Sequence, residues 1–372
     1  MSGEQVTVVV EQLRRRAPGG VGTYARGLLD GLRSLGPEAP ELTLHASRSP
    51  IRPDPLGVFG FRVDASPFPA RGLTRLWDWG MVGVPGPDVV HCVSQATPPG
   101  RRGQHLVAMV HDLAWREAPD TFPARGRRWH EASLRRCLAR ASAVVVPSER
   151  TAAALAGALA AARAAARPAA RPPRIEVIPH GSDHLPPPDG AGAAAALARF
   201  GIRGPYLLSV STLEPRKNLA RLIDAYSRAR PRLPEPWPLV VVGPAGWGPA
   251  LEPAPGVVLT GAVDAAVLSA LYAGARCLAY VPLVEGFGLP PVEAMRQGTA
   301  VVASPMPSTG GAALEVEPTD VGAMAAALAD AASDGSLRAT LIDRGRRRAE
   351  ELTWRTAAER HVRLWRSLGA GR

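Results

Sequence analysis

Lysine is almost missing from this sequence. Of the 44 lysine and arginine residues in a chain of 372, only Lys217 is a lysine. Cysteine is also rare, and the spacing of Cys92, Cys137 and Cys277 fits neither a disulfide framework nor a metal cluster. No Asp-x-Asp pair occurs that would hold a divalent ion beside a diphosphate. We therefore expect neither a metal site nor a cofactor.

Long apolar runs are lacking as well. No run reaches the length of a membrane span, and the apolar residues 6–10 are too few and wrongly flanked for a signal peptide. With so little cysteine, these absences lead us to expect a cytoplasmic protein. We further expect that the protein contacts the inner face of an anionic membrane peripherally.

The charge of the chain is strongly and unevenly positive. The net charge is +11, and residues 1–185 carry 24 basic against 16 acidic side chains. Such an excess attracts nucleic acid, an anionic membrane surface or an acidic acceptor. Aromatic residues make up only 5% of the chain, and the arginines are not interleaved with them as in a nucleic-acid-binding module. We expect no nucleic-acid partner.

The apolar residues that are present form short runs separated by helix-length segments. A hydrophobic content of 46% over this length is enough for two cores. Strands that alternate with helices indicate parallel sheets covered on both faces. We predict an α/β protein with a domain at 1–182, a second at 183–352 and a closing helix at 353–372. The predicted strands are residues 6–10, 88–91, 106–110, 143–146, 175–178, 206–210, 239–242, 257–259, 277–281 and 299–303.

The segment EGFGLPPVEAM, at 285–295, places Glu285 and Glu293 around a glycine-rich loop. Gly286 and Gly288 let backbone amides approach a ligand, and the following prolines predict a helix with Glu293 in its first turn. Free amides suit a phosphate, and the carboxylates suit sugar hydroxyls, so the segment favours a sugar nucleotide. The alternative is structural, with a loop-capping Glu285 and an ordinary helical Glu293.

The segment SVSTLEPRKNL, at 209–219, carries Arg216 and the single lysine, Lys217, at the entrance of a predicted helix. Lysine is a compact point charge on a flexible stem, whereas arginine is a planar fork. A phosphate oxygen in a narrow cleft can require the former, so the position favours phosphate binding. The alternative is that a lysine stands here by chance in a chain that otherwise uses arginine.

Two features of the first half also carry polar groups at strand ends. PGGVGTYARGLL, at 18–29, brings Gly20 and Gly22 to the start of a helix, but its spacing is not that of a dinucleotide-binding fingerprint. A tight structural turn is the alternative there. His111 and Asp112 follow a predicted strand and would bind sugar hydroxyls or move a proton. A buried, hydrogen-bonded histidine is the competing interpretation.

Taken in order, these blocks resemble the retaining nucleotide-sugar glycosyltransferases of family 4. The resemblance runs nearly end to end and includes VHDLAW, VIPHGSD, YLLSVSTLEPRKNLARLIDAY, the EGFGLPPVEAM block and LTWRTAAERHVRLWRSL. It implies the GT-B fold, in which two doubly wound Rossmann-like domains face each other across a cleft and a C-terminal helix closes the molecule.

The resemblance also implies roles for individual residues. Arg216 and Lys217 would hold the leaving diphosphate, Glu285 would lie near the donor sugar and Glu293 on the nucleotide ribose. Retention in such enzymes is thought to proceed by front-face attack, in which the departing phosphate takes the acceptor proton. The catalytic residues it implies are Glu285, Arg216, Lys217 and His111, and the donor-binding residues are Gly20, Gly22, Arg216, Lys217, Glu285, Gly286, Phe287, Gly288, Leu289 and Glu293.

The sequence departs from the family at two places. His180 stands where the family commonly has asparagine, and residues 306–314, MPSTGGAAL, are shortened and lack the usual glutamate. The expected activity is transfer of a hexosyl unit, mannosyl favoured, from a nucleotide diphosphate sugar such as GDP-mannose. The acceptor would be a saccharide or lipid-linked molecule in cell-surface polysaccharide or glycoconjugate synthesis. The shortened loop leaves an alternative, a noncatalytic GT-B protein that binds a sugar nucleotide or anchors a partner.

Overall fold

The computed structural model describes residues 5–15, 18–86, 88–165, 172–252 and 254–369. The chain divides into two compact units. The first unit is built from the described residues of Met1–Leu113, Pro123–Gly181 and Trp354–Arg372, and the second from those of Ala114–Phe122 and Ser182–Thr353.

Strands and helices alternate through both units. The strands are β1 (Gln5–Val9), β2 (Glu41–Ala46), β3 (Arg62–Ala65), β4 (Val89–Cys92), β5 (His105–Met109), β6 (Ala143–Val146), β7 (Arg174–Val177), β8 (Leu207–Val210), β9 (Leu239–Val242), β10 (Val257–Gly261), β11 (Cys277–Tyr280), β12 (Ala300–Ala303) and β13 (Leu314–Glu315). The helices are α1 (Gly19–Ser34), α2 (Ala70–Asp78), α3 (Ala114–Glu117), α4 (Ala124–Arg140), α5 (Glu149–Ala165), α6 (Gly190–Ala198), α7 (Leu219–Ala229), α8 (Ala265–Gly274), α9 (Leu289–Arg296), α10 (Val321–Ser333), α11 (Gly335–Glu351) and α12 (Trp354–Gly369).

The first unit is organised around a parallel sheet. Within the described residues the strand order is β3-β2-β1-β4-β5-β6-β7. β1 lies between β2 and β4, with Val6 opposite Leu42 on one side and Val89 on the other. Because all pairs are parallel, the carboxyl ends of the strands meet at one edge, where loops with polar residues collect.

The second unit repeats this plan with the order β10-β9-β8-β11-β12-β13 in the described chain. Successive residues of a strand point to opposite faces, and both faces are buried under helices. Leu207, Leu239 and Cys277 pack with α7 and α10, whereas their neighbours Leu208, Val240 and Leu278 pack with α8 and α9. The apolar runs of the sequence therefore fill two separate layers of core.

The predicted strands all coincide with observed strands, and the structure adds β2, β3 and β13. β3 is an edge strand with the sequence RVDA, of which no residue is fully buried. β13 has only two residues. Neither segment has the apolar run on which strand prediction depends, because an edge strand needs little burial to pair.

The C-terminal helix α12 belongs to the first unit, in which it packs on α1. A Cβ added at Gly27 would lie 2.0 Å from the Trp354 ring, and one at Gly31 would lie 2.2 Å from the Trp354 carbonyl oxygen. Only glycine permits so close an approach between these helices. The segment Ala114–Phe122 belongs instead to the second unit, where the indole Nε1 of Trp247 donates to the Thr121 carbonyl at 2.9 Å.

None of the helices in the described residues combines the length and the hydrophobicity that a membrane crossing requires.

Candidate functional site

The candidate site of the second unit lies where the loops after β8 and β11 meet. These strands are neighbours in the sheet, so their carboxyl ends bring the two sequence motifs together. The backbone amide of Leu283, in the second loop, donates to the carbonyl of Arg216 in the first at 2.9 Å. The motifs at 209–219 and 285–295, separate in the sequence, therefore form one structure.

The first loop ends in a tight turn that orients its cations. Pro215–Lys217 form one 3-10 turn, and Asn218 follows in the left-handed region with φ 61°. The Asn218 side-chain amide donates to the carbonyls of Val281, at 3.0 Å, and Pro318, at 2.6 Å. Since asparagine tolerates this backbone conformation better than most residues, the turn can be held rigidly against the neighbouring strand.

Glu285 lies at the centre of a buried cluster of polar side chains. Its Oε1 accepts hydrogen bonds from Arg216 Nη1 at 2.8 Å, from the hydroxyl of Tyr280 at 2.8 Å and from Lys217 Nζ. Lys217 Nζ also donates to the Tyr280 hydroxyl at 2.9 Å. Tyr280 thus accepts from the ammonium and donates to the carboxylate, so the three groups form a closed triangle.

Glu214 completes the charge balance of the cluster. Its Oε1 accepts from Arg216 Nη2 at 2.9 Å, whereas Glu285 accepts from the other terminal nitrogen, Nη1. The side chains of Glu214, Arg216, Lys217 and Glu285 are only 5% to 12% exposed. Two buried cations therefore face two buried carboxylates, which lowers the cost of removing each from water.

The environment changes the pKa values of these groups in opposite ways. Burial alone would raise the pKa of Glu285, but Arg216 and Lys217 together lower it to about 2. Burial raises the pKa of Glu214 above its usual range despite Arg216. Burial, with the neighbouring Arg216, lowers the pKa of Lys217. Glu285 is thus fully ionised at neutral pH and acts as an acceptor, not as an acid.

The glycine turn that follows Glu285 leads into α9. Gly288 has φ 94°, and a Cβ there would lie 2.3 Å from the sulfur of Met306, so this position requires glycine. α9 begins at Leu289, with prolines as its second and third residues. Its first turn contains no acidic residue, so the prediction that placed Glu293 there is wrong.

Glu293 lies one residue beyond the first turn and is 6% exposed. Its Oε2 accepts from the Tyr272 hydroxyl at 2.7 Å, and its Oε1 lies 3.1 Å from His184 Nε2. Both carboxylate oxygens have protein partners. A ribose hydroxyl would therefore add to these bonds or displace one of them.

The shortened segment 306–314 is well packed against the glycine turn. Ser308 and Thr309 are fully buried, and the amide of Ser308 donates to the Phe287 carbonyl at 3.2 Å. Arg348 Nε holds the Ser308 carbonyl at 2.9 Å. Within the described chain the hydroxyl of Ser308 has no hydrogen-bond partner, and it lies 3.0 Å from where a Gly288 Cβ would be.

The remaining predicted residues lie in the first unit. His111 follows β5 and donates from Nε2 to the Val93 carbonyl at 2.9 Å. Its ring meets the Tyr24 ring edge-on, with 5.0 Å between centroids. Burial lowers the pKa of His111, so it is neutral at pH 7, with Nδ1 as its acceptor nitrogen. The structure thus supports a hydrogen-bonded histidine that still has a basic nitrogen.

Gly20 and Gly22 occupy the first turn of α1 but differ in surroundings. Gly20 is exposed, and a Cβ there would meet no atom within 4 Å. Gly22 is buried, and its Cβ would lie 2.1 Å from the side chain of Pro18. Gly22 is therefore required for packing, whereas Gly20 leaves the helix end open to an anion.

A chain of hydrogen bonds joins Tyr24 to two histidines in the core of the first unit. The Tyr24 hydroxyl lies 3.0 Å from His91 Nε2 and 2.9 Å from His361 Nε2, while His361 Nδ1 donates to the Ala357 carbonyl at 2.8 Å. His361 Nε2 must then accept from Tyr24, which leaves Tyr24 to accept from His91. The His361 ring fits this chain only when it is neutral, because its Nε2 must accept the hydrogen bond from Tyr24.

We expect the protein to lose stability on mild acidification because of this chain. Burial lowers the pKa of His91 and of His361, the latter to about 4. The unfolded rings bind protons near pH 6.5, so stability is complete above that value and falls as the pH drops toward 4. His361 alone contributes on the order of 3 kcal/mol to this loss.

Thermal unfolding between pH 7.5 and pH 4.5, followed by circular dichroism, measures this loss. The variant His361→Gln is expected to be less stable at pH 7.5 and to show a flatter pH dependence. A melting temperature independent of pH in the unchanged protein would contradict the expectation.

Several residues of the site were missed by the sequence reasoning. Their signals were weak: Tyr280 ends a strand at the edge where ligands bind, and Glu214 directly precedes the Pro-Arg-Lys turn. His184, Tyr272 and Ser308 have no local signal, because only the folded chain brings them to Glu293 and Gly288. Among the described residues no cluster of three or more His, Cys, Asp or Glu side chains is arranged to hold a metal ion.

Comparison with known proteins finds relatives of named activity. The chain is 31% identical to the O-antigen chain mannosyltransferase B of Escherichia coli over 175 residues, which are 44% of this chain and 46% of that protein. It is 36% identical to the serotype-specific mannosyltransferase WbdA of Escherichia coli over 109 residues, 27% of this chain and 13% of that protein. The chain thus spans less than half the length of these curated relatives.

Solved structures share the fold over nearly the whole chain. The sucrose-phosphate synthase of Thermosynechococcus elongatus aligns with a TM-score of 0.71 and 20% identity, covering 99% of this chain and 100% of that one. Anabaena Alr3699/HepE, in complex with UDP and glucose, aligns with a TM-score of 0.70 and 17% identity, covering 98% and 100%. At these identities the likeness concerns the fold, and it confirms the predicted α/β fold class of GT-B type.

Two family models match the chain, one in each half. The model described as Glycosyltransferase Family 4 matches residues 18–185, and the model described as Glycosyl transferases group 1 matches residues 204–334. The first match covers the sheet of the first unit from α1 onward, and the second contains the Glu285 cluster. Together they account for most of the sequence, in the order of its two units, and the chain belongs to the family 4 glycosyltransferases of group 1.

Proposed function

We propose that this protein is a retaining hexosyltransferase that takes a mannosyl unit from GDP-mannose. The observation that carries the proposal is the buried cluster in which Arg216, Lys217 and Tyr280 converge on one oxygen of Glu285. A cation pair held at the carboxyl edge of a parallel sheet suits the diphosphate of a sugar nucleotide. The names of the Escherichia coli relatives support mannose as the sugar.

The cluster is organised to stabilise a leaving group. In the proposed reaction the acceptor hydroxyl oxygen forms a bond to the anomeric carbon of the sugar, on the face that the diphosphate leaves. The bond between the sugar and the diphosphate breaks, and negative charge develops on the departing phosphate oxygen. Lys217 and Arg216 are already oriented by Glu285 and Glu214, so they need little reorganisation to meet this charge. The departing phosphate takes the acceptor proton, so retention requires no strong protein base.

The other predicted residues have supporting roles in this proposal. The buried turn at Gly286, Phe287 and Gly288, with the partly buried start of α9 at Leu289, would bind the donor sugar and phosphates. Glu293 would bind the ribose beside its present partners Tyr272 and His184. Gly20 and Gly22 would contribute to donor binding. His111 would contribute on the acceptor side, where the acceptor would be a saccharide or lipid-linked molecule of cell-surface polysaccharide or glycoconjugate synthesis.

A panel of GDP-, UDP-, ADP- and dTDP-sugars tests the proposal. Thermal shift reports binding, and release of the nucleoside diphosphate reports transfer or donor hydrolysis. We expect GDP-mannose to give both signals. Stabilisation without any release would support the alternative, a noncatalytic protein that binds a sugar nucleotide. If the nucleoside diphosphate were released only from another sugar nucleotide, that sugar nucleotide would be the donor in place of GDP-mannose.

We expect Tyr280→Phe to lower kcat about tenfold. The change removes the hydroxyl that joins Lys217 to Glu285 and leaves each with one hydrogen bond fewer, at a typical cost of about 1.5 kcal/mol for a charged partner. Steady-state kinetics with the active donor measure it. Tyr226→Phe is the matched control, because that hydroxyl bonds to the Trp237 carbonyl elsewhere in the second unit. Equal kcat values in the two variants would contradict a role for Tyr280.

A further inference from the structure

A groove in the first unit combines apolar walls with arginine. It has a volume of about 260 Å³ and is lined by residues from the turn before α1, from α1 itself and from the loop after β2. The lining residues that the argument uses are Arg14, Arg26, Ile51, Leu56, Val58 and Phe59. None of them belongs to the cluster around Glu285.

The walls of the groove are fixed by one partly buried ion pair and by hydrogen bonds. Asp54 accepts from both terminal nitrogens of Arg14 at 2.6 Å and from the amide of Leu56 at 2.9 Å. At the start of the same loop, the Ser47 amide donates to the carboxylate of Glu11 at 2.7 Å. The loop from Ser47 to Phe59 is therefore anchored at Ser47 and at Asp54 to the chain that follows β1.

The rim of this anchored loop exposes aliphatic side chains to water. Ile51 is 60% exposed and Val58 is 74% exposed, whereas Leu56 and Phe59 beneath them are buried. Clustered exposed aliphatic groups on a rigid loop mark an interaction site more often than scattered ones do. The shape and apolar character of the groove suit a hydrocarbon chain.

The cationic side of the groove calls for an anion beside that chain. Arg26 projects from α1 with its side chain exposed. The side chain of Arg14 is 8% exposed, and its Nε has no hydrogen-bond partner within the described residues. Asp54 offsets the charge of Arg14 but not that of Arg26. Because Arg14 Nε is shielded from solvent and both its terminal nitrogens bond to Asp54, the exposed guanidinium of Arg26 is the group that can donate to a phosphate oxygen in the groove.

We propose that this groove binds the lipid-phosphate end of a lipid-linked acceptor. The hydrocarbon chain packs on Ile51, Val58 and Phe59, and the adjoining phosphate accepts hydrogen bonds from Arg26. A peptide would need backbone hydrogen-bonding groups along the rim, whereas the apolar rim beside arginine matches the chemistry of a lipid phosphate. The inference rests on the proposed glycosyl transfer for its biological meaning, and the binding itself can be tested alone.

Titration with monomeric dodecyl phosphate tests the groove directly. We expect the unchanged protein to bind it, and the variants Ile51→Ser/Val58→Ser and Arg26→Gln to bind it at least tenfold more weakly. Met81→Ser is the matched control, because Met81 is a 67% exposed apolar residue of the first unit outside the groove. Its affinity should be unchanged. The exposed positions allow these substitutions without loss of folding, which circular dichroism verifies.

Several outcomes of this titration would overturn the proposal. They are no binding of dodecyl phosphate, equal weakening in the Met81→Ser control, and equal binding of inorganic phosphate alone. Binding to phosphatidylglycerol vesicles but not to monomeric dodecyl phosphate would indicate a membrane surface contact in place of a site. A change of oligomeric state in the Ile51→Ser/Val58→Ser variant would assign the apolar rim to a second copy of the chain.

A transfer assay connects the groove to activity. One acceptor saccharide is offered free and, in parallel, attached to dodecyl diphosphate. We expect the groove variants to raise KM about tenfold for the lipid-linked form and to leave the free saccharide and donor hydrolysis unchanged. Equal effects on both acceptors would reject the groove. No nucleoside diphosphate release from any donor by the unchanged protein would reject the proposed function, while the titration would still test lipid-phosphate binding.

Discussion

Replacing Lys217 with alanine is expected to lower kcat by two to three orders of magnitude while the fold stays intact. Removing one group that stabilises developing charge typically costs about 3 to 4 kcal/mol. Lys217 Nζ donates to both Tyr280 and Glu285. Its loss therefore also leaves these two side chains less well oriented. Arg216 keeps Glu285 and Glu214 paired, which limits the effect on stability.

Kinetics with the active donor, together with thermal unfolding, measure the effect of Lys217→Ala. Arg228→Ala is the matched control, because Arg228 is an exposed cation on α7 that pairs only with Asp224 in the described contacts. It should leave kcat unchanged. Near-normal turnover in Lys217→Ala would refute the assignment of the leaving group to this cluster. Lys217→Arg should restore little, since the planar guanidinium does not fit the place of a compact ammonium.

Replacing Glu285 with glutamine should separate binding from catalysis. The carboxylate has a pKa of about 2 and is charged at every working pH, so the amide removes a full negative charge. Arg216 and Lys217 are then less neutralised, and we expect the nucleoside diphosphate to bind as tightly as before or more tightly. We expect kcat to fall at least about a hundredfold, because the cations lose the negative charge that orients them.

Calorimetry for the nucleoside diphosphate, beside kinetics for the sugar nucleotide, tests this separation. Glu235→Gln, an exposed position of the second unit, controls for the change of net charge. Weaker nucleoside diphosphate binding in Glu285→Gln, with a normal melting temperature, would mean that the carboxylate contacts the nucleotide directly. An unchanged kcat would remove Glu285 from the catalytic cluster.

Much of the fold could be predicted from the sequence because parallel strands buried on both faces need continuous apolar runs. The runs at 143–146, 239–242 and 277–281 show this most clearly, and each strand lies between two others in its sheet. β3 and β13 escaped prediction because edge strands pair through backbone groups and need few apolar side chains. The close packing of α12 on Gly27 and Gly31 has no signal in hydrophobic periodicity alone.

The sequence predicted individual residues of the candidate site but not the side chains that contact them. The single lysine at 217 and the paired carboxylates at 285 and 293 stand out by residue type and spacing. The neighbours Glu214 and Tyr280 do not, since acidic residues and tyrosines are common at loop and strand ends. The sequence also placed Glu293 in the first turn of α9, whereas the helix begins at Leu289 and directs Glu293 to Tyr272 and His184.

The sequence by itself determined the fold class, the family and the two motifs, because each depends on residues close together in the chain. Only the tertiary structure decided that Arg216, Lys217 and Tyr280 meet at a single oxygen of Glu285. The reason is physical: the pKa of a carboxylate and the direction of an ammonium depend on burial and on neighbours within hydrogen-bond distance. The parallel pairing of β8 and β11, about seventy residues apart in the chain, supplies those neighbours.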